Sequence, residues 1–344
     1  MTTQVRSATP VLPAMVDMST ELAGVAFPDP VFTASGCAAA GRELDAYFDL
    51  TAIGGMVTKS VMSQPRAGRP TPRMAETPSG MLNSIGLQGP GIDAFIKNDL
   101  SWLHERGVRT VVSIAGSSVK EYAELARALR GRRGLSMIEV NISCPNVEDR
   151  GQVFACDPDA AAEVISAVVR HTAVPVFAKL SPDVTSIVDV ARSVVSAGAD
   201  GLSMINTLLG MVIDTETLRP ALAGVTGGLS GPAIRPVAVR CVWQVHAAMP
   251  QVPILGMGGI RSGLDALQFL LAGASAVSVG TAVFGDPAAP QRVSRELREA
   301  LAERGFFSVR EAIGHAHRPA ATALPEGADP IGDPDPDAGR KATL

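Results

Sequence analysis

Short apolar runs recur along the chain, each followed by a polar or glycine-containing stretch and then by a segment of helical period. The runs fall at residues 31–34, 56–59, 110–115, 137–142, 176–180, 201–205, 252–257 and 276–279. They are nearly uninterrupted, as strands of a parallel sheet buried on both faces must be. Between two of them, Asp157 and Pro158 supply a cap and a first turn, and Ala161, Val164, Ile165, Val168 and Val169 follow at helical spacing. Ser262 with Asp265 resembles a capping box, and Gly273 closes that helix. Ala197-Gly198-Ala199-Asp200 and Ala272-Gly273-Ala274-Ser275 are near copies, each leading from a helix into the next run. Repeated βα units of this kind predict an α/β fold, a (β/α)8 TIM barrel. Two connections, residues 61–91 and 208–230, are too long for simple loops and both follow a strand. They are expected as insertions at the C-terminal face, over the barrel mouth, where lids and binding elements lie. The pattern fades at both ends, so residues 1–18 and the acidic, Pro-rich residues 319–344 are expected as disordered tails around a barrel of residues 19–318.

Composition narrows the class. A chain of 344 residues suits one barrel with insertions, and 46% hydrophobic but only 4% aromatic content means a core of Ala, Val, Leu and Ile. Net charge is −4, and the basic residues form only short patches such as Arg130-Gly131-Arg132-Arg133, so nucleic acid is not an expected partner. No apolar run approaches the roughly 20 residues that cross a bilayer, and the N-terminus lacks a signal-peptide core. No membrane association is expected, and the cytoplasm is the expected location. Cys37, Cys144, Cys156 and Cys241 are scattered without a C-x-x-C pair, which argues against a zinc site or an iron–sulfur cluster held by this chain. A redox centre would then be a bound organic cofactor. His104, His171, His246, His315 and His317 all lie away from the strand ends, so proton transfer falls to another group.

Active-site groups of such barrels project from strand C-termini. There the chain places Lys59, then Asn141-Ile142-Ser143-Cys144-Pro145-Asn146, then Lys179, then Asn206 and Thr207. Carboxamides can bind a planar polar ring, a thiol can move a proton, and lysines can stabilise negative charge. The same residues could instead be turn asparagines, a small buried cysteine and structural ion pairs. Gly256-Met257-Gly258-Gly259 and Gly280-Thr281 end the last two runs, where barrels bind phosphate on backbone N–H groups. No acidic residue follows at the dinucleotide spacing, so a mononucleotide phosphate fits better.

The Asn141–Asn146 stretch resembles the active-site loop of the dihydroorotate dehydrogenases, FMN enzymes of pyrimidine synthesis, and the likeness extends from about Pro28 to His315. Phe32-Thr33-Ala34-Ser35-Gly36 is similar to a first-strand motif that touches the flavin, and Thr58-Lys59-Ser60 to one whose lysine meets flavin and substrate. The resemblance implies that Cys144 is the base, with Lys59 beside it. Substrate would be held by Lys59, Asn83, Ser84, Ile85, Gly86, Leu87, Asn141, Asn206 and Thr207. FMN would be held by Ser35, Lys59, Ser60, Asn141, Lys179, Ile205, Gly231, Gly258, Gly259, Gly280 and Thr281. No metal is implied. Gly227-Gly228-Leu229-Ser230-Gly231-Pro232 and Ile85-Gly86-Leu87-Gln88 look most like class 1B catalytic subunits. That class implies an electron-transfer partner with FAD and a 2Fe–2S cluster, passing electrons to NAD, and a homodimeric core.

The chain departs from the family pattern at Cys37–Gly41, where an aromatic-containing stretch is expected, and at Ser113, where many relatives have Asn. Two other readings compete with oxidation of dihydroorotate to orotate. One is a dihydropyrimidine dehydrogenase-type FMN reductase acting on uracil or thymine; the other is a flavin-free, phosphate-binding isomerase or lyase.

Overall fold

The computed structural model describes residues 9–143 and 154–319. Eight strands build the barrel: β1 (Val31–Thr33), β2 (Met56–Val57), β3 (Thr110–Ile114), β4 (Leu135–Asn141), β5 (Val176–Leu180), β6 (Gly201–Met204), β7 (Ile254–Met257) and β8 (Ala276–Val279). They form one sheet in the order β1-β8-β7-β6-β5-β4-β3-β2, and each adjacent pair is parallel. The circle closes just ahead of β2, where Phe32 bridges Gly55 and the Gly54 amide donates to the Val31 carbonyl at 2.8 Å. This is the (β/α)8 barrel that the hydrophobic pattern predicts. Some strands are shorter than their apolar runs: beyond β2, the Lys59 amide leaves the ladder and donates to Ala39 O at 2.9 Å.

Helices α1 (Ser101–Glu105), α2 (Val119–Leu129), α3 (Pro158–Val169), α4 (Ile187–Ser196), α5 (Arg235–Ala248), α6 (Gly263–Leu271) and α7 (Ala289–Glu303) run between and after the strands. Their starts are set locally. Asp157 accepts from the amides of Asp159 and Ala160, and Ser262 and Asp265 complete a reciprocal capping box. Each such cap is worth about 1 kcal/mol.

Strand alternation divides the core in two. Ile138 and Val140 face outward onto the helices, in one cluster with Leu125, Val164 and Ile165. Met137 faces inward with Phe32, Val57, Val111, Phe177 and Leu255. Each fully buried Val, Leu or Phe contributes roughly 1.5–3 kcal/mol. A hairpin of Thr20–Leu22 and Val25–Phe27 adds Leu22 and Phe27 to the inner cluster, with the Phe27 and Phe32 rings edge-on at 4.9 Å.

The N-terminal boundary differs from expectation. Residues 9–18 belong to the described body: the Val11 amide donates to Ala302 O at 3.0 Å, and Val16 and Met18 are buried. A Pro-rich stretch without periodicity packs here because it lies along α7, and that partner is remote in sequence.

The two long connections meet each other. Strands Leu208–Gly210, Gly227–Ser230, Gly80–Asn83 and Met74–Thr77 form a four-stranded antiparallel sheet in that order. Both insertions therefore build a single flap rather than two separate loops.

Candidate functional site at the strand C-termini

Lys59 and Lys179 carry positive charge to the barrel mouth. The Lys59 ammonium is largely buried, no described carboxylate pairs with it, and burial lowers its pKa. Lys179, at the end of β5, is 4% exposed, and its Nζ donates to Glu139 Oε1 at 3.4 Å. Cys37, in the first loop, lies within the fields of both lysines. Burial nevertheless pushes its thiol up to about 11, with Lys179 and Lys59 pulling the other way. Cys37 is therefore a neutral thiol near pH 7 and cannot serve there as a base.

A connected polar net links the strand ends. Asn141 Nδ2 donates to Ser60 Oγ at 3.1 Å, and Asn206 Nδ2 donates to Asn141 Oδ1 at 3.1 Å and to Ser143 Oγ at 2.7 Å. The Thr207 amide donates to Asn206 Oδ1 at 2.9 Å. Ser60 and Ser113 hydroxyls lie 2.9 Å apart, and Ser35 is 3.3 Å from each. Ser113 thus joins a hydroxyl triad. Ile205 is held by its amide to Met257 O at 3.0 Å. A net that fixes every carboxamide's orientation presents its remaining donors and acceptors in set directions.

The flap supplies the second wall. Asn83 Nδ2 donates to Gly228 O at 3.2 Å, the Ser84 amide to Arg73 O at 2.7 Å, and Arg69 Nη1 to Ser84 Oγ at 2.9 Å. Ile85 O accepts from the Arg69 amide at 3.0 Å, while Gly86 (φ 76°) and Leu87 (φ 55°) turn the chain in the left-handed region. Where this insertion begins, the Glu121 carboxylate accepts from the amides and hydroxyls of both Ser63 and Ser117. Burial raises its pKa, but these donors outweigh burial and hold it below the usual carboxylate range.

Beside the flap lies a glycine cradle: a Cβ on Gly231 would stand 2.7 Å from Gly80 Cα. Gly231, Gly258 and Gly259 have φ of 93°, 133° and 75°, which side-chain-bearing residues rarely adopt. A Cβ on Gly259 would stand 2.6 Å from Gly231 O, and one on Gly280 would stand 3.2 Å from Ala34 Cβ. Thr281 Oγ1 donates to Ser230 Oγ at 2.8 Å, and Arg235 spans from Gly259 O to the Asp265 carboxylate. Glycine backbone free of side chains, two cations and a carboxamide net fit a flat polar ring with a phosphate tail.

The barrel brings Ser35, Lys59, Ser60, Asn141, Lys179, Ile205, Asn206 and Thr207 to one end of the sheet. Asn83–Leu87 lie in the flap, and Gly231, Gly258, Gly259, Gly280 and Thr281 follow the later strands. Cys144 lies outside the described residues. The sequence singles out neither Glu121 nor Glu139, and it gives Ser143 no role beyond its place in the Asn141–Asn146 stretch. Glu139 had a signal, being a lone carboxylate inside an apolar run at the same parity as Asn141; Ser63 and Glu121 are too far apart in sequence to give one.

Residues 17–301 match the model of the family described as dihydroorotate dehydrogenase. The chain is similar to "dihydroorotate dehydrogenase B (NAD(+)), catalytic subunit" of Geobacter sp. (strain M21), at 53% identity over 87% of this chain and 97% of that protein. It is 52% identical to the protein of the same name from Geotalea daltonii, over 88% of this chain and 98% of the relative.

Proposed function

This chain belongs to the dihydroorotate dehydrogenase family and oxidises dihydroorotate to orotate in pyrimidine biosynthesis, and we propose that it does so with FMN in the glycine cradle and Cys144 as base. The observation that carries the site assignment is the convergence of Lys59, Asn141, Lys179 and Asn206 on one mouth, facing the flap. FMN, when bound, supplies the acceptor for hydride leaving C6 of the substrate.

The chain's own residues do the rest. Gly231, Gly258, Gly259, Gly280 and Thr281 hold the phosphate through backbone N–H groups and a hydroxyl. Ser35, Ser60, Lys179 and Ile205 flank the ring. Lys59, with no carboxylate partner among the described residues, meets the carboxylate of dihydroorotate, a choice that favours this substrate over uracil or thymine. Asn83, Ser84, Ile85, Gly86 and Leu87 close over it, and Asn141, Asn206 and Thr207 orient its ring amides. The Cys144 thiolate takes the C5 proton, which a thiol with an ordinary pKa near 8.5 can do at mildly alkaline pH.

Electrons then leave through a second subunit carrying FAD and a 2Fe–2S cluster, and reach NAD. The relatives' designation as catalytic subunits and the scattered cysteines support this route. A homodimeric core in the cytoplasm completes the reading. Among the described residues no helix is long and apolar enough to cross a membrane.

Anaerobic addition of dihydroorotate to the purified chain tests the proposal. Bleaching of a yellow flavin band, lost in Cys144→Ser near neutral pH, is expected. A preparation that stays colourless and inert after FMN is supplied overturns the cofactor assignment.

A further inference from the structure

Glu139 lies inside β4 with the same parity as Met137 and Asn141, so it points into the barrel. Its side chain is 0% exposed. Oε1 accepts from Lys179 Nζ at 3.4 Å, and Oε2 has no hydrogen-bond partner among the described residues. Lys179 stands in register with Asn141 on one side and with Ser203 on the other, and Ser203 Oγ also has no partner among the described residues. Phe177 and Met137 supply apolar packing on the adjoining positions.

For the fold alone this is a poor choice of residue. Burying an ion pair costs several kcal/mol per ion in desolvation, and well-packed apolar side chains of similar volume often do as well or better. The pair therefore needs a reason in the site. Lys179 provides one, because it stands level with Asn141 at the mouth while Glu139 stands level with Phe177 deeper in the barrel, and its charge acts on Cys37 beside Gly280 in the first loop. The ammonium thus stands between a carboxylate in the barrel interior and the pocket at its mouth.

We infer that Glu139 is a positioning residue that holds the Lys179 ammonium and offsets its charge, and so sets the reduction potential of the bound flavin. The inference rests on the FMN reading above. Electrons arriving on the ring bring negative charge, and an uncompensated ammonium beside it would favour their staying. Glu139 weakens that hold, so that the electrons can be passed on. It touches neither substrate nor cofactor and acts through Lys179.

The test is a spectroscopic redox titration of the FMN-loaded protein against dyes of known potential. Glu139→Gln keeps the side-chain volume and removes the charge. It is expected to favour the reduced form about tenfold, a shift of about 30 mV to more positive potential for a two-electron couple. Lys179→Gln should shift the potential the opposite way, and Glu139→Gln should add little in that background. Glu139→Asp, which retracts the charge by one methylene, should give a smaller positive shift and serves if Glu139→Gln does not fold. Native potential in the FMN-loaded Glu139 variants overturns the inference, as does a Glu139→Gln shift that persists undiminished with Lys179→Gln. A native chain that binds no FMN overturns the underlying reading instead, which separates the two failures.

Discussion

Asn83 and Gly228 face each other across an antiparallel bridge, and the Asn83 carboxamide donates to the Gly228 carbonyl at 3.2 Å across 145 residues of sequence. That contact ties the two insertions into one flap over the strand ends. Thr207 lies against the same glycine, since a Cβ on Gly228 would overlap the Thr207 hydroxyl. Gly228→Ala must move one of the two. The expected outcome is a rise of about tenfold in KM for dihydroorotate, equivalent to ~1.4 kcal/mol, with flavin content unchanged. Steady-state kinetics beside the flavin absorbance ratio checks it.

Lys59 should set the alkaline limit of substrate binding. Burial lowers its pKa, so its charge is lost at a pH below the ordinary lysine value. Affinity for the substrate carboxylate is then fully present at lower pH and falls as pH rises through that depressed value. Lys59→Gln should cost about a hundredfold in kcat/KM, ~2.7 kcal/mol, and abolish the alkaline rise in KM. A pH profile of KM that is the same in both proteins would contradict this role.

The cradle predicts a separate defect in cofactor retention. Gly259 has φ 75° and no room toward Gly231 O. Gly259→Val should leave a folded barrel that purifies with little flavin and recovers it only at high FMN concentration. Fluorescence titration with FMN, alongside circular dichroism, distinguishes lost binding from lost folding.

Asp29 should give the barrel an acid-side stability term of unusual sign. Burial raises its pKa from 3.8 to about 6, although Ser294, the Val31 amide and Arg298 pull the other way. The folded state holds this proton more tightly than the unfolded chain, so the contribution is fully present below about pH 3.8 and is lost as pH rises through about 6. Burying the ionised form then costs about 3 kcal/mol as an upper estimate. Asp29→Asn, which can still accept from the Val31 amide, should be more stable than the native chain at pH 7 and no more stable at pH 4. Urea unfolding of both proteins at the two pH values checks the difference.

Much of the architecture was legible from one-dimensional pattern. Nearly uninterrupted apolar runs such as Val176–Leu180 read as strands buried on both faces, and the caps at Asp157 and Ser262 act within four residues of themselves. The polar groups ending those runs, Lys59, Asn141, Lys179 and Asn206, were visible because a charge or carboxamide after an apolar strand is out of place without a purpose.

What the pattern left undetermined was decided by contacts between distant segments. Pairing of Gly80–Asn83 with Gly227–Ser230 made one flap of two insertions, and α7 drew residues 9–18 into the body. Closure of the barrel set Glu139 against Lys179, 40 residues away, and bound Ser35, Ser60 and Ser113 into one hydroxyl cluster. Local propensity acts over a few residues and leaves a trace in the sequence. Ion pairing and loop-to-loop pairing depend on distances in space, and those exist only once the sheet has closed.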